Sequence, residues 1–522
     1  MNFTAHDELQ LFFLLAALAA MLVIAALRGL PVPVLLVCGG LLLGFVPGLP
    51  QVQLAPDLVL VAILPPLLYS AAFFTGLRDL RSNLRPISLL AFGLVIATTC
   101  GVAIVARFAV PELSWAAAFT LGAILSPTDA LAATEVLSRV SLPRRIVSIL
   151  EGESLVNDGM ALVLYKFAVV AAVTGTFSIW NFAWRLPVNV IGGVAVGLAV
   201  GYVVRQVRKR VDDAPTEVAI ALLSGYLAYL PASAIGVSGV LAAVTIGVYM
   251  GWYTPELTTV ETRLSGNSFW EILVFLVNAL LFALIGFQLH GISSRLTVNA
   301  QLVGECAIVV AAVVLLRFIW VPVFTYVPRL LFRSIRERDP YPPWQAPVVI
   351  SWAGVRGAVS LAAALALPVD VPQRDRIVFI TFVVILFSLL GPVLTLAPLA
   401  RAIGLQDDGA IERQEAKARI RAAEAALERI EEIADDGWAF DDSLERARGQ
   451  YRFRTNRFAA RLTGEDGGGA EERSAQYQRL RRELLDAERG AIVSLRNEGT
   501  ITEEVMHRVL RDIDLEVSRL DL

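Results

Sequence analysis

Three short runs of this sequence hold polar and charged residues where the surroundings are apolar, and such residues are expensive at membrane depth and usually mark ion pathways. The run LEGESLVNDGMALVLYKFA, residues 150–168, contains Glu151, Glu153, Asn157 and Asp158. As a helix it places Ser154 and Asp158 on one face, with Glu151 nearly in line. Glu153 and Asn157 share a second face, rotated by about 100°. One wall can meet an ion and the other a partner charge. A carboxylate can be neutralised by a proton or by a cation. The two compete for the same oxygens, which is the minimal chemistry of exchange. Hard monovalent cations want oxygen donors, and Asp158, Ser154, Thr128 and the carbonyls of an unwound helix supply them.

The run LGAILSPTDALAATEVL, residues 121–137, contains Pro127, which removes a backbone donor and disfavours helix at Ser126. Broken helices are tolerated at membrane depth where they line a polar cavity. Thr128 and Asp129 can cap a second half-helix. In VVISWAGVRGAVSLAAALALP, residues 348–368, Gly354 and Gly357 flank Arg356 and permit another break. A buried arginine needs a carboxylate. Glu153 is the first choice for Arg356, with Asp129 held at its own helix break. Glu271 and Asn278, seven apart on one face, and Arg317 read as packing or interface elements. Lys166 reads as snorkelling or locally paired, and Glu305 as solvated near an outer end.

The elements that must position these residues are apolar spans. The chain is 56% hydrophobic with a mean hydropathy of +0.63, which argues against a soluble enzyme. Runs near the roughly 20 residues that cross a bilayer recur almost from end to end. About thirteen transmembrane helices are expected, near 9–27, 31–48, 57–75, 86–106, 114–138, 146–174, 186–204, 217–231, 236–252, 270–290, 301–328, 345–367 and 377–404. The fifth, eighth and twelfth carry polar or Gly/Pro breaks. With the N-terminus outside, the inner loops hold sixteen basic residues and the outer loops five. This asymmetry supports an odd number of spans and a cytoplasmic C-terminus. The opening MNFTAHDE lacks a signal-peptide start, so the first segment reads as a retained helix. Cys38, Cys100 and Cys306 suggest neither disulfides nor a zinc site, and the three histidines lie far apart. Composition changes near Gln406. Residues 1–405 read as the membrane domain and 406–522 as a helical cytoplasmic tail. In the tail, 411–433 and two helices within 474–520 are expected, with apolar Leu480, Leu484, Leu485 and Ile492 at helical spacing and a loop at Gly464–Gly469. Interrupted helices in both halves of the membrane domain point to an inverted-repeat transporter.

The runs ILSPTDALAATEVL, LEGESLVNDGMALVLYKFA, FWEILVFLVNALLFALIGFQL and GVRGAVSLAAALALP, in this order, resemble the cation/proton antiporters of the Na⁺/H⁺ exchanger type. The tail motif LRRELLDAERGAIVSLRNEGTITEEVMHRVLRDIDLE resembles the bacterial form with a cytoplasmic tail. The resemblance implies that Asp158 binds the ion and the proton. It makes Asn157 the mark of the electroneutral branch, places Thr128 and Ser154 along the ion site, and makes Glu153 and Arg356 a buried ion pair beside it. It implies a homodimer working by elevator-like alternating access. Ser70, in PPLLYSAAF, stands where several relatives have an acidic residue, so the ligand set can differ there.

The expected function is exchange of Na⁺ or Li⁺ for H⁺ in a bacterial inner membrane, serving sodium transport and pH homeostasis. One carboxylate carrying one charge each way gives a 1:1 electroneutral cycle. No cofactor and no nucleic-acid partner are expected, beyond the transported ions and membrane lipid. K⁺/H⁺ antiport is the alternative, since oxygen donors separate Na⁺ from K⁺ only by cavity size. An intramembrane aspartyl protease built on Asp129 and Asp158 is a remote rival, without the glycine-framed motif that chemistry expects around the second aspartate.

Overall fold

The computed structural model of the chain describes residues 5–46, 58–129, 142–176, 178–293, 296–297, 299–405, 409–463 and 470–520. They form two units, 1–407 and 408–522. In the first, helix lies in each of the thirteen expected segments, and the part of the fifth beyond Asp129, including Glu135, falls outside the described residues. Seven helices among the described residues are long and apolar enough to cross a membrane. Large apolar side chains stand exposed on their outer faces, such as Leu315 at 58% and Ile319 at 61%. A surface of this kind suits lipid rather than water.

The elements that build the site are α1 (Trp115–Leu125), α2 (Arg144–Thr174), α3 (Val260–Ser293), α4 (Ala300–Leu331), α5 (Gln345–Trp352), α6 (Ala358–Leu365) and α7 (Arg374–Ala402). Their starts follow the sequence. Ser114 caps α1 by accepting from the Ala117 amide at 3.2 Å, and Asn299 caps α4 by accepting from the Leu302 amide at 2.8 Å. One buried cluster joins α1, α2, α4 and α7 through Leu121, Ile149, Val313 and Phe382. The helical run Leu84–Ala109 packs on this group. Its π-helical turns Leu89–Leu94 leave the Leu89 carbonyl to the Trp320 indole, at 3.1 Å.

Two of the three expected breaks appear. α1 ends at Leu125 before Pro127, and α5 and α6 are separated by residues 353–357. The eighth segment is unbroken, a continuous helix from Ala214 to Ala234. Ser224 does not interrupt it, because its hydroxyl donates to the Ile220 carbonyl at 2.6 Å within the same helix. Glu305 is also not solvated. It is 2% exposed and held by Arg376, whose Nε donates at 2.8 Å. Lys166 is exposed.

The second unit contains four helices, Ala410–Asp436, Asp441–Thr463, Ala470–Asn497 and Glu503–Leu520. The second of these had no counterpart in the sequence reading. Of the apolar positions read at helical spacing, Leu485 is buried, while Leu480 and Leu484 are about half exposed, at 54% and 49%. The Gly464–Gly469 stretch lies outside the described residues.

Candidate ion-exchange site

The two breaks cross each other. The Asp129 amide donates to the Val355 carbonyl at 2.8 Å, so the unwound chain after α1 touches the unwound chain between α5 and α6. Each half-helix ends in carbonyls without intrahelical partners and with the negative end of its dipole. Two buried guanidiniums answer them. Arg356 Nε donates to the Leu125 carbonyl at the end of α1, at 3.2 Å, and its Nη1 to the Gly354 carbonyl, at 2.5 Å. Arg317, from α4, donates through Nε to the Ile350 carbonyl in the last turn of α5, at 3.1 Å. The Arg356 amide is taken by the Ser388 hydroxyl on α7 at 3.0 Å.

Glu153 is where the structure corrects the expected pairing. Its carboxylate meets Arg317, not Arg356, through two parallel bonds of 2.5 and 2.7 Å. Both side chains are 2% exposed. The planar fork of arginine suits such a bidentate contact. Arg356 is instead held by backbone carbonyls, so the demand of a buried guanidinium for acceptors is met by a helix end.

A polar chain runs from this pair toward the cavity. Thr128 Oγ1 donates to Glu153 Oε1 at 3.2 Å. Because its one proton goes to the carboxylate, Thr128 accepts from Asn157 Nδ2, at 2.6 Å. That orientation leaves Asn157 Oδ1 buried with no hydrogen-bond partner. Ser154 Oγ donates to the Thr128 carbonyl at 2.7 Å. The expected site residues therefore do come together: Thr128 from the first break, and Glu153, Ser154 and Asn157 from α2, form one network.

Asp158 stands apart from that network. It is 6% exposed, and its carboxylate makes no hydrogen bond or ion pair among the described residues. It faces a cavity of about 810 Å³, whose wall also includes Thr128, Asp129, Ser154, Gly357 and Ser70. The Ser70 hydroxyl donates to the Leu67 carbonyl, at 2.9 Å. Ser360, also on the wall, carries a buried hydroxyl without a partner. It falls inside a motif read above but was not singled out there. Glu151, Asn267, Glu271 and Asn278 line the same cavity, so Glu271 and Asn278 face solvent-accessible space rather than serving as packing. Glu151, Asn267 and Glu271 lie in the N-terminal halves of α2 and α3, toward the ends that carry Arg144, Arg145 and Arg263. Asp158 is seven residues deeper along α2 than Glu151, about 10 Å at helical rise. The cavity is thus an acidic funnel with a carboxylate at its floor. No group of three or more His, Cys, Asp or Glu residues able to hold a metal is present among the described residues, and the donors at the floor are single oxygens from different elements.

Comparison with known proteins agrees with this architecture. The family model described as the transmembrane region of sodium/hydrogen exchangers matches residues 13–402. An uncharacterized Na⁺/H⁺ exchanger of Mycobacterium tuberculosis is 34% identical over 500 residues, covering 94% of this chain and 91% of its own. A sodium, potassium, lithium and rubidium/H⁺ antiporter of Bacillus subtilis is 33% identical, over 69% of this chain and 56% of its own. The structure of the sodium proton antiporter MjNhaP1 from Methanocaldococcus jannaschii, solved at pH 8, superposes with a TM-score of 0.60 at 19% identity, covering 76% of this chain and 99% of that one. The fold is therefore that of a monovalent cation/proton antiporter, and the chain belongs to the sodium/hydrogen exchanger family, a family of multi-pass membrane transporters.

Proposed function

We propose that this protein exchanges Na⁺ or Li⁺ for H⁺ one for one, with Asp158 as the carrier of both. The observation that supports this most is the contrast in partners: Glu153 is neutralised by Arg317, whereas Asp158 is buried, unpartnered and open to the cavity. A bare carboxylate sealed from water carries a heavy desolvation cost. Asp158 therefore completes a crossing when a proton or a cation neutralises it, and that restriction couples the two fluxes. Thr128 and Ser154 offer oxygens beside it. The Ser154 hydroxyl donates to the Thr128 carbonyl, which holds its oxygen on the wall of the cavity that Asp158 faces. Asn157 and Glu153 hold Thr128 in place. With one charge carried each way, the cycle is electroneutral.

In this reading residues 1–405 are the antiporter domain and 406–522 a cytoplasmic tail, with the N-terminus outside and the chain in the inner membrane of a bacterium. The basic ends then face the cytoplasm, and the cavity is open inward. The crossed breaks, with α2 and α4, move as one body in an elevator-like step against a homodimer scaffold. K⁺/H⁺ exchange is the second reading, favoured by the Bacillus subtilis relative, an antiporter named for potassium and rubidium as well as sodium and lithium.

The test is dye-reported proton flux in proteoliposomes holding a pH gradient, pulsed with Na⁺, Li⁺ or K⁺. Flux triggered by Na⁺ or Li⁺ and lost in Asp158→Asn is expected. A response to K⁺ alone selects the second reading. Full flux in Asp158→Asn rejects the mechanism, and a membrane current that scales with transport rejects electroneutrality.

A further inference from the structure

A second charged cluster lies at the basic end of the elements that hold the ion site, and the exchange mechanism does not use it. Arg85 at the start of the run Leu84–Ala109, Arg145 in the first turn of α2 and Arg329 in the last turns of α4 converge on Asp339, in the connection to α5. Arg145 Nη2 donates to Asp339 Oδ1 at 2.6 Å, and its Nε to Asn83 Oδ1 at 3.2 Å. Arg329 donates to the Asp339 carboxylate through Nη2, to the Asp339 carbonyl through Nε at 3.0 Å, and to the Thr325 carbonyl through Nη1. Arg85 is different. Its Nη1 stands 3.9 Å from Asp339 Oδ2, and both of its Nη atoms are buried without a hydrogen-bond partner.

Three guanidiniums share one carboxylate, which leaves two positive charges uncompensated within the cluster. Arg144, the neighbour of Arg145, is paired with Asp79 instead, at 3.6 Å. A cluster that served only to pin the 332–344 connection would not need the third arginine, whose buried donors lack the acceptor such groups normally have. The arginines open onto a cavity of about 70 Å³. A single water needs only about 10–15 Å³ by this kind of measure. Apart from Asp339 and Thr325, the rest of its wall is apolar, including Leu89, Val321 and Phe324. The adjoining face of α4 is apolar and exposed at Val323 and Val327.

We propose that this cavity binds the phosphate of an anionic phospholipid. Arg85, Arg145 and Arg329 take the headgroup, and an acyl chain follows the apolar wall toward Val323 and Val327. Guanidinium forks match phosphate oxygens, and basic pockets between membrane helices take such headgroups. A free phosphate ion shares the headgroup chemistry; the apolar wall and the exposed face of α4 are what favour the lipid. The site ties the basic end of α2, which carries Asp158, to that of α4, which carries Arg317. Its occupancy therefore bears on how freely the two helices move together.

The test is native mass spectrometry of the full-length protein, delipidated and then offered phosphatidylglycerol or phosphatidylethanolamine, with inorganic phosphate and glycerol phosphate as soluble competitors. Selective retention of phosphatidylglycerol is expected. Arg85→Gln should reduce it about fivefold, the worth of one arginine against an anionic surface, at unchanged melting temperature. Asp339→Asn should raise retention even where it lowers the melting temperature, because it removes the carboxylate the arginines share. No selectivity, no effect of Arg85→Gln, or retention that falls with stability in Asp339→Asn would mean a purely structural cluster and overturn the proposal. Displacement of the lipid by inorganic phosphate, with equal thermal stabilisation by phosphate alone, would assign the site to a soluble anion and overturn the lipid.

Discussion

Glu153 and Asp158 are both carboxylates, both buried, and five residues apart on one helix, yet they sit in opposite situations. Glu153 has two bonds from Arg317 and one from Thr128. Asp158 has none and faces the cavity. Under the proposed mechanism, burial alone does not separate a structural charge from a transporting one. The partner does. A carboxylate whose charge is already matched gains little from a passing cation, while an unmatched one needs either a cation or a proton.

The contrast is sharpest in paired mutants. Asp158→Asn should abolish exchange while keeping normal yield and melting temperature, since it removes an unmatched buried charge. Glu153→Gln should do the reverse at first order. Breaking a buried pair costs about 3–5 kcal/mol, so folded yield and thermal stability should drop more than ion affinity. Normal stability in Glu153→Gln, or a collapse of stability in Asp158→Asn, would erase the distinction between the two faces.

The identity of the partner can be measured next. In a double-mutant cycle on thermal stability, Glu153→Gln and Arg317→Gln should be non-additive by about 0.5–3 kcal/mol. Glu153→Gln with Arg356→Gln should be closer to additive. The reverse outcome would restore the pairing that the sequence suggested.

How far that pairing was legible follows from the kind of interaction involved. Spans and the breaks at Pro127 and Gly354–Gly357 are written in local residue order, so the sequence reading places them. So is the sharing of one helix face by Ser154 and Asp158 and of a second by Glu153 and Asn157, which follows from helix geometry. The choice between Arg317 and Arg356 is not local. Glu153 and Arg317 are 164 positions apart, and nothing in spacing says which buried arginine a carboxylate meets. Expecting a carboxylate at Arg356 and only packing at Arg317 overlooks that a helix end also offers acceptors to a buried guanidinium. Glu305 was misjudged for the same reason, because its partner Arg376 is 71 positions away. The unbroken helix Ala214–Ala234 shows the opposite limit. A serine and a glycine look like a break, but a serine can satisfy itself on the preceding turn.

Thr128 joins the two faces, and its removal should affect both. Thr128→Val deprives Asn157 Nδ2 of its acceptor, a buried loss of about 1–3 kcal/mol. It should also weaken the apparent Na⁺ affinity by roughly tenfold, equivalent to about 1.4 kcal/mol. Thr128→Ser keeps the hydroxyl and should restore most of each. An affinity unchanged in the valine variant would remove Thr128 from the ion site and leave it only a structural link.

Two glycines in one break separate the faces again. A Cβ on Gly354 would lie 2.5 Å from Arg317 Nε, and one on Gly357 would collide with Asp129 Oδ2. Gly354→Ala should therefore disturb the Glu153–Arg317 pair and show mainly as lost stability. Gly357→Ala displaces Asp129 at the cavity wall and should show mainly as lost exchange in folded protein. Identical profiles for the two variants would mean that the break responds as a single unit.

The smallest effect is expected at the rim, where Glu271 is exposed and Glu151 half-buried on the funnel wall. Their charges lie well above the floor, so they are placed to attract a cation rather than to hold it. An exposed charge acts through solvent, and salt screens it over a Debye length of about 8 Å at 0.15 M. Glu271→Gln should raise the half-saturating Na⁺ concentration by roughly two- to fivefold at low ionic strength, the range of an exposed charge interaction. The maximal rate should stay the same, and the difference should fade as an inert organic salt is added. Flux titrations at two ionic strengths read this directly. A rate loss that persists at high salt would mean that Glu271 touches the transported ion, and the division between a gathering rim and a binding floor would have to be redrawn around it.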